Sequence, residues 1–160
     1  RSMKDAYENP DQFKSFTPLY GTNHKFNGHM DYFYVGNHGN NVGLVDIYAT
    51  LKMKFGKWSV FATPHYFMAA ADVYKVKSAE KSDFPEDSYE IMSKGLGIEI
   101  DMGLAYVPQK NMKFVLGISE MLGTETLGHI KGYSSTDDYS KNGTWAYAMF
   151  VFKPNFYTSK

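Results

Sequence analysis

The sequence predicts an all-β protein: an antiparallel transmembrane β-barrel, about six strands of which lie in this chain and which form part of a larger barrel. Three observations carry that expectation. Several segments alternate strictly between apolar and polar or small residues, the period of a sheet with two different environments. The 160 residues hold 13 Tyr, 12 Phe, 2 Trp and 14 Gly, yet the mean hydropathy is −0.42. That mix suits strands with one apolar and one polar face. The connections between the alternating segments run medium, short, long, short, long, and membrane barrels place short turns at one end and long loops at the other.

The elements follow in order. Residues 1–26 are a polar lead-in with a turn signal at Asn9-Pro10; six antiparallel strands are expected over 27–157. The first is read at 29–35 and the second at 43–55, with Val45, Ile47, Leu51, Met53 and Phe55 on one face and Asp46, Tyr48, Lys52 and Lys54 on the other. Gly56-Lys57 is a two-residue hairpin turn into the third strand, 58–70. The fourth, 96–106, is the clearest. Leu96, Ile98, Ile100, Met102, Leu104 and Tyr106 alternate with Gly97, Glu99, Asp101, Gly103 and Ala105. The fifth, 112–122, sets Phe114, Leu116 and Ile118 against Lys113, Gly117 and Ser119. The sixth, 145–156, is apolar on both faces, so its orientation stays open. Segments 72–94 and 123–144 are long, polar and expected outside the membrane.

A barrel assigns roles to these faces. Asp46, Lys52, Lys54, Glu99, Asp101 and Lys113 are expected to line the lumen, with His24, Lys25 and Asp31 as a hydrogen-bonded lead-in or constriction. Trp58, Leu96, Ile98, Ile100, Met102, Leu104, Tyr106 and Phe114 are expected to face lipid. Phe55, Trp58, Tyr106, Phe114, Phe156 and Tyr157 would form an aromatic belt at the short-turn end, and Tyr66, Trp145 and Tyr147 one at the long-loop end. The mixed-charge segment around Lys75, Lys77 and Lys81 would be solvated and could meet lipopolysaccharide phosphates. Membrane barrels start at eight strands, and open edges are not viable in lipid. Six strands, with a polar start lacking a signal peptide, therefore suggest the C-terminal portion of a longer barrel.

Composition and motifs exclude other classes. Lys plus Arg and Asp plus Glu both number 17, a zero balance unlike that of a nucleic-acid binder. Arg1 is the only arginine, and there is no Cys, which removes thiol catalysis and zinc knuckles. Glu99 and Asp101 share a face and could serve acid–base chemistry or bind a cation, but lining a wet lumen is the favoured account of them. His29 and Asp31 could meet a metal, yet no third ligand has matched spacing, so no metal and no cofactor is expected. The Gly/Asn-rich stretch at 36–40 lacks the Lys-Ser/Thr of a phosphate loop. No convergent catalytic set is present, and no enzyme is expected.

The stretch Phe16-Thr17-Pro18-Leu19-Tyr20-Gly21-Thr22-Asn23-His24-Lys25-Phe26-Asn27-Gly28-His29-Met30-Asp31-Tyr32-Phe33 resembles the alginate-export family of outer-membrane porins, and Phe150-Val151-Phe152-Lys153-Pro154-Asn155-Phe156 resembles the last strand of such proteins. The resemblance implies a monomeric barrel of about 18 strands in the outer membrane of a Gram-negative bacterium. It also implies partners limited to membrane lipid, lipopolysaccharide and a passing solute or polysaccharide. The near absence of Arg departs from the basic pore of an alginate exporter, so that substrate does not carry over. Two other readings compete. One is a soluble antiparallel barrel with an apolar ligand inside; the other is a small membrane barrel acting as an adhesin or anchor through its long loops.

Overall fold

A computed structural model describes residues 11–12, 26–34, 43–76, 89–133 and 142–154. His24 and Lys25, and the residues Phe156 and Tyr157 expected in a belt, lie outside the described residues. The described strands are β1 (Leu44–Tyr48), β2 (Leu51–Phe55), β3 (Trp58–Ala69), β4 (Val73–Val76), β5 (Tyr89–Met92), β6 (Gly95–Gln109), β7 (Met112–Gly123) and β8 (Asn142–Phe152); one short helix, α1 (Glu125–Ile130), precedes β8. The protein is mostly antiparallel β-sheet. β1 and β2 both pair with β3, and the order continues β3-β6-β7-β8; β4 and β5 form a separate hairpin.

The expected second strand is thus present as two collinear pieces. Tyr48 pairs with His65 and Leu51 with Ala62, so the register continues across the gap. Facing the gap is Pro64, whose carbonyl still accepts Ala49 N–H at 3.4 Å but which has no N–H to return. The expected third to sixth strands are β3, β6, β7 and β8. The expected first strand is not formed where it is described. Residues 26–34 run through bends and turns, because Asn27 (φ 62°), Gly28 (φ 81°) and Asp31 (φ 57°) leave the extended region. Asn27 Nδ2 then donates to the Phe33 carbonyl at 3.3 Å, closing the segment on itself.

Cross-strand partners share a face, so the register defines two surfaces. One carries Ile47, Met53, Tyr66, Ile98, Met102, Leu116, Ile118 and Phe150, all exposed. At the end with the short turns it finishes in a row of aromatics paired strand to strand: Phe55 with Trp58, Trp58 with Tyr106, Tyr106 with Phe114, Phe114 with Phe150. The Trp58 and Tyr106 rings lie 4.4 Å apart and the Phe114 and Phe150 rings 4.8 Å apart. The other surface carries Thr63, His65, Glu99, Asp101 and Ser119, all buried. β8, ambiguous by pattern, is oriented by its pairing: Ala146, Ala148, Phe150 and Phe152 join the apolar face.

The polar face is covered, which is why it is buried. Residues 26–34 lie across it, and the Phe33 ring packs 4.5 Å from Phe67. At the end away from the short turns, Phe33, Phe67, Ala69, Val73, Leu96, Met121 and Leu127 form an apolar core. α1 contributes Leu127 to it. Thr124 caps the helix by accepting Leu127 N–H at 3.3 Å and donates to the Gly95 carbonyl at 2.7 Å, tying the helix to β6. The long segment 123–144 therefore holds a helix, and 72–94 holds the β4–β5 hairpin. The sheet does not close among the described residues: β8 and the β1–β2 line each have one neighbour.

Candidate functional site: a polar pocket on the covered face

The pocket lies between the sheet and residues 26–34 and encloses about 310 Å³. Alternation in β1, β3, β6 and β7 delivers its side chains, since the even-numbered residues of β1 and the odd-numbered residues of β3, β6 and β7 point to the same surface. Asp46 comes from β1, Thr63 and His65 from β3, Asp101 from β6, and His29 from the covering segment.

His65 is the hub. Its Nδ1 lies 2.9 and 3.1 Å from the two Asp46 carboxylate oxygens. A carboxylate here only accepts, so Nδ1 carries the proton and Asp46 fixes ring and tautomer. His65 Nε2 faces Asp101 Oδ2 at 3.6 Å, beyond hydrogen-bond length. Tyr48 stacks on the ring at 4.9 Å and Phe67 at 5.5 Å. Asp101 accepts the Ser119 hydroxyl at 2.6 Å, with His29 Nδ1 3.8 Å from the same oxygen. Thr50 and Thr63 hydroxyls meet at 3.1 Å on the pocket wall.

The network is polar and mostly satisfied. Ser119 donates to a carboxylate, not to a histidine, so this contact is not the nucleophile–base pair of hydrolytic enzymes. Among the described residues no group of three His, Asp or Glu is placed to hold a metal ion. Outside the strands, Lys131 donates to the Tyr32 carbonyl and lies over the Phe33 ring at 5.6 Å. Desolvation there pushes its ammonium below the ordinary lysine range, and burial, with the Glu99 charge nearby, pushes the Tyr32 phenol up.

The expected site residues divide. Asp46 and Asp101 meet in the pocket, and Glu99 is buried under the covering segment. Lys52, Lys54 and Lys113 share their face but stay exposed. Asp31 sits in a turn, not on a strand. Of the expected lipid-facing set, Trp58, Ile98, Met102 and Phe114 are exposed and Ile100, Leu104 and Tyr106 half-buried, all on the apolar surface.

Leu96 is a correction. It is 2% exposed and belongs to the apolar core. The β3–β6 register shifts between Phe67 and Met68, opposite Leu96-Gly97, so strict alternation stops there. Gly97 makes this possible: its φ is 152°, and a Cβ would come within 2.6 Å of the Leu122 carbonyl. Trp145 and Tyr147 are a second correction. They pair with Ser119 and Gly117 and so lie on the polar face, not in an outer belt. The Tyr147 ring covers Gly117, where a Cβ would be 2.1 Å from it.

His65 is not among the site residues expected from the sequence. Its signal was the alternation Ser59, Phe61, Thr63, His65, which puts it on the polar side of β3. Comparison of the chain with protein-family profiles, curated proteins and solved structures gives no match.

Proposed function

We propose that the chain forms wall strands of an outer-membrane β-barrel porin of the alginate-export type, passing small solutes or polysaccharide by diffusion. One observation carries the reading: a continuous exposed apolar sheet face that ends on an in-register row of five aromatics, backed by a polar face. A water-soluble sheet packs its apolar face inward. Lipid outside and an aqueous lumen inside call for the reverse, with an aromatic girdle at the interface. Ile98 to Tyr106 spans about 26 Å at ~3.3 Å per residue. Its nine residues match the roughly 9–11 of a membrane-spanning strand. The two sheet edges would pair with further strands on closure. Asp46, Asp101, His29 and His65 would set the field in the solute path, and no cofactor is needed.

The test is to fold the chain in detergent and in phospholipid vesicles, compare gel migration before and after boiling, and measure ion conductance across a planar bilayer. A migration shift with conductance supports the porin. A stable monomer in plain buffer, without a shift, refutes it. The apolar face also holds an open groove of about 450 Å³ near Met53, Met102 and Leu116, which favours the soluble ligand-binding barrel as second reading. Saturable binding of a fatty acid by that buffer-stable monomer would establish it.

A further inference from the structure

Glu99, in the middle of β6, is fully buried beneath residues 26–34. Its Oε1 accepts the Met30 N–H at 2.9 Å. Its Oε2 is buried without a hydrogen-bond partner among the described residues. Gly28 lies directly on the carboxylate: a Cβ there would stand 2.4 Å from Oε1 and 2.7 Å from Oε2. The φ of Gly28, 81°, is one that side-chain-bearing residues rarely adopt.

Two features of the covering segment are thus matched to one wall carboxylate: an N–H aimed at it and a side chain missing above it. Wall folding alone does not call for a carboxylate here. Glu99 pairs with His65 on one side and Met121 on the other, and burying a charge is costly unless it is ligated. The far end of the segment is held separately, by Phe33 against Phe67 and by Lys131 on the Tyr32 carbonyl. Glu99 holds the middle, and with it His29, whose ring stands edge-on to Phe61 at 6.0 Å and to Tyr147 at 6.5 Å.

Resting on the porin reading, we infer that Glu99 is a positioning residue: it seats residues 26–34 against the lumen wall, and the seated segment sets the width, and so the size limit, of the solute path. Without the seat, residues 27–31 lose their inner attachment while the Phe33 end stays docked, and the path widens.

The experiment is single-channel conductance of the full chain in planar bilayers, with exclusion of polyethylene glycols of graded size. Glu99→Ala and Gly28→Ala should each raise conductance about twofold or more and admit larger polymers. Glu99→Gln keeps an acceptor for the Met30 N–H and should stay near wild type. The double variant should add little to Glu99→Ala, because the clash that Gly28→Ala creates is with Glu99 itself. The chain has no Cys, so His29→Cys supplies a single thiol. A methanethiosulfonate reagent should reduce current through it, and reduce it less when Glu99→Ala is added.

A wild-type chain that is a stable monomer in plain buffer, without a shift on boiling, removes the porin reading and this inference with it. A conducting wild type whose Glu99→Ala and Gly28→Ala variants keep its conductance and size limit overturns the inference alone. Should Glu99→Ala fail to assemble, Gly28→Ala and the current block at position 29 decide the matter: unchanged conductance with no block overturns the inference.

Discussion

Placing an arginine at Met102 separates a lipid-facing sheet from a water-facing one. Met102 is 42% exposed and pairs with Ala62 on one side and Ile118 on the other, in the middle of the apolar face. It lies four residues from Tyr106 in the aromatic row, about 13 Å along the strand at ~3.3 Å per residue. With a strand tilt of about 40° that is roughly 10 Å of depth, near the middle of a ~25 Å apolar band. An arginine at the midplane on the lipid side of a barrel costs about 2–4 kcal/mol. At ~1.4 kcal/mol per decade that lowers the folding equilibrium about 30-fold to 1000-fold. The same change on a water-exposed surface stays within about 0.5 kcal/mol. The assay is urea unfolding in phospholipid vesicles, read by the fraction of chain that keeps its anomalous gel migration. Asp101→Asn, one residue away on the opposite face, is the control; it should assemble normally and change ion selectivity. A Met102→Arg chain as stable in vesicles as wild type, or one that becomes a folded monomer in buffer, would refute the assignment of the apolar face to lipid.

Other consequences concern the covered face and its core. Leu96→Ala should cost about 2–5 kcal/mol in the same unfolding assay, whereas Leu116→Ala, 56% exposed, should cost far less. Equal losses would undo the bulge argument. Asp46→Ala removes the acceptor of a buried His65 N–H and should destabilise by about 1–3 kcal/mol; nitrogen NMR of the ring should also lose its single Nδ1–H tautomer. Thr124→Ala, which strips the α1 cap, should cost about 1 kcal/mol and loosen amide protection over Glu125–Ile130.

The sequence by itself determined five strand segments, 43–55, 58–70, 96–106, 112–122 and 145–156, and the faces of the first four. Ile98, Ile100, Met102 and Leu104 against Glu99, Asp101 and Gly103 state a two-environment strand, because side chains in a strand alternate with period two. Gly56-Lys57 states a tight hairpin, and the connection lengths place the short turns at one end. The tertiary structure decided what alternation cannot encode. β8 is apolar on both sides, so only its pairing with β7 orients it. Leu96 obeys the pattern yet points to the core, because a bulge at Gly97 reverses the face and bulges depend on the neighbouring strand's register. The aromatic row is spread over five strands, with Phe55 and Phe150 distant in sequence, and exists only once register is set. Asp46, His65 and Asp101 converge for the same reason. Residues 29–35 read as a strand, but positive φ angles at Asn27, Gly28 and Asp31 fold the covering segment 26–34 onto Glu99. That carboxylate is 69 residues from the N–H it accepts, and local sequence has no means of announcing a partner so far along the chain.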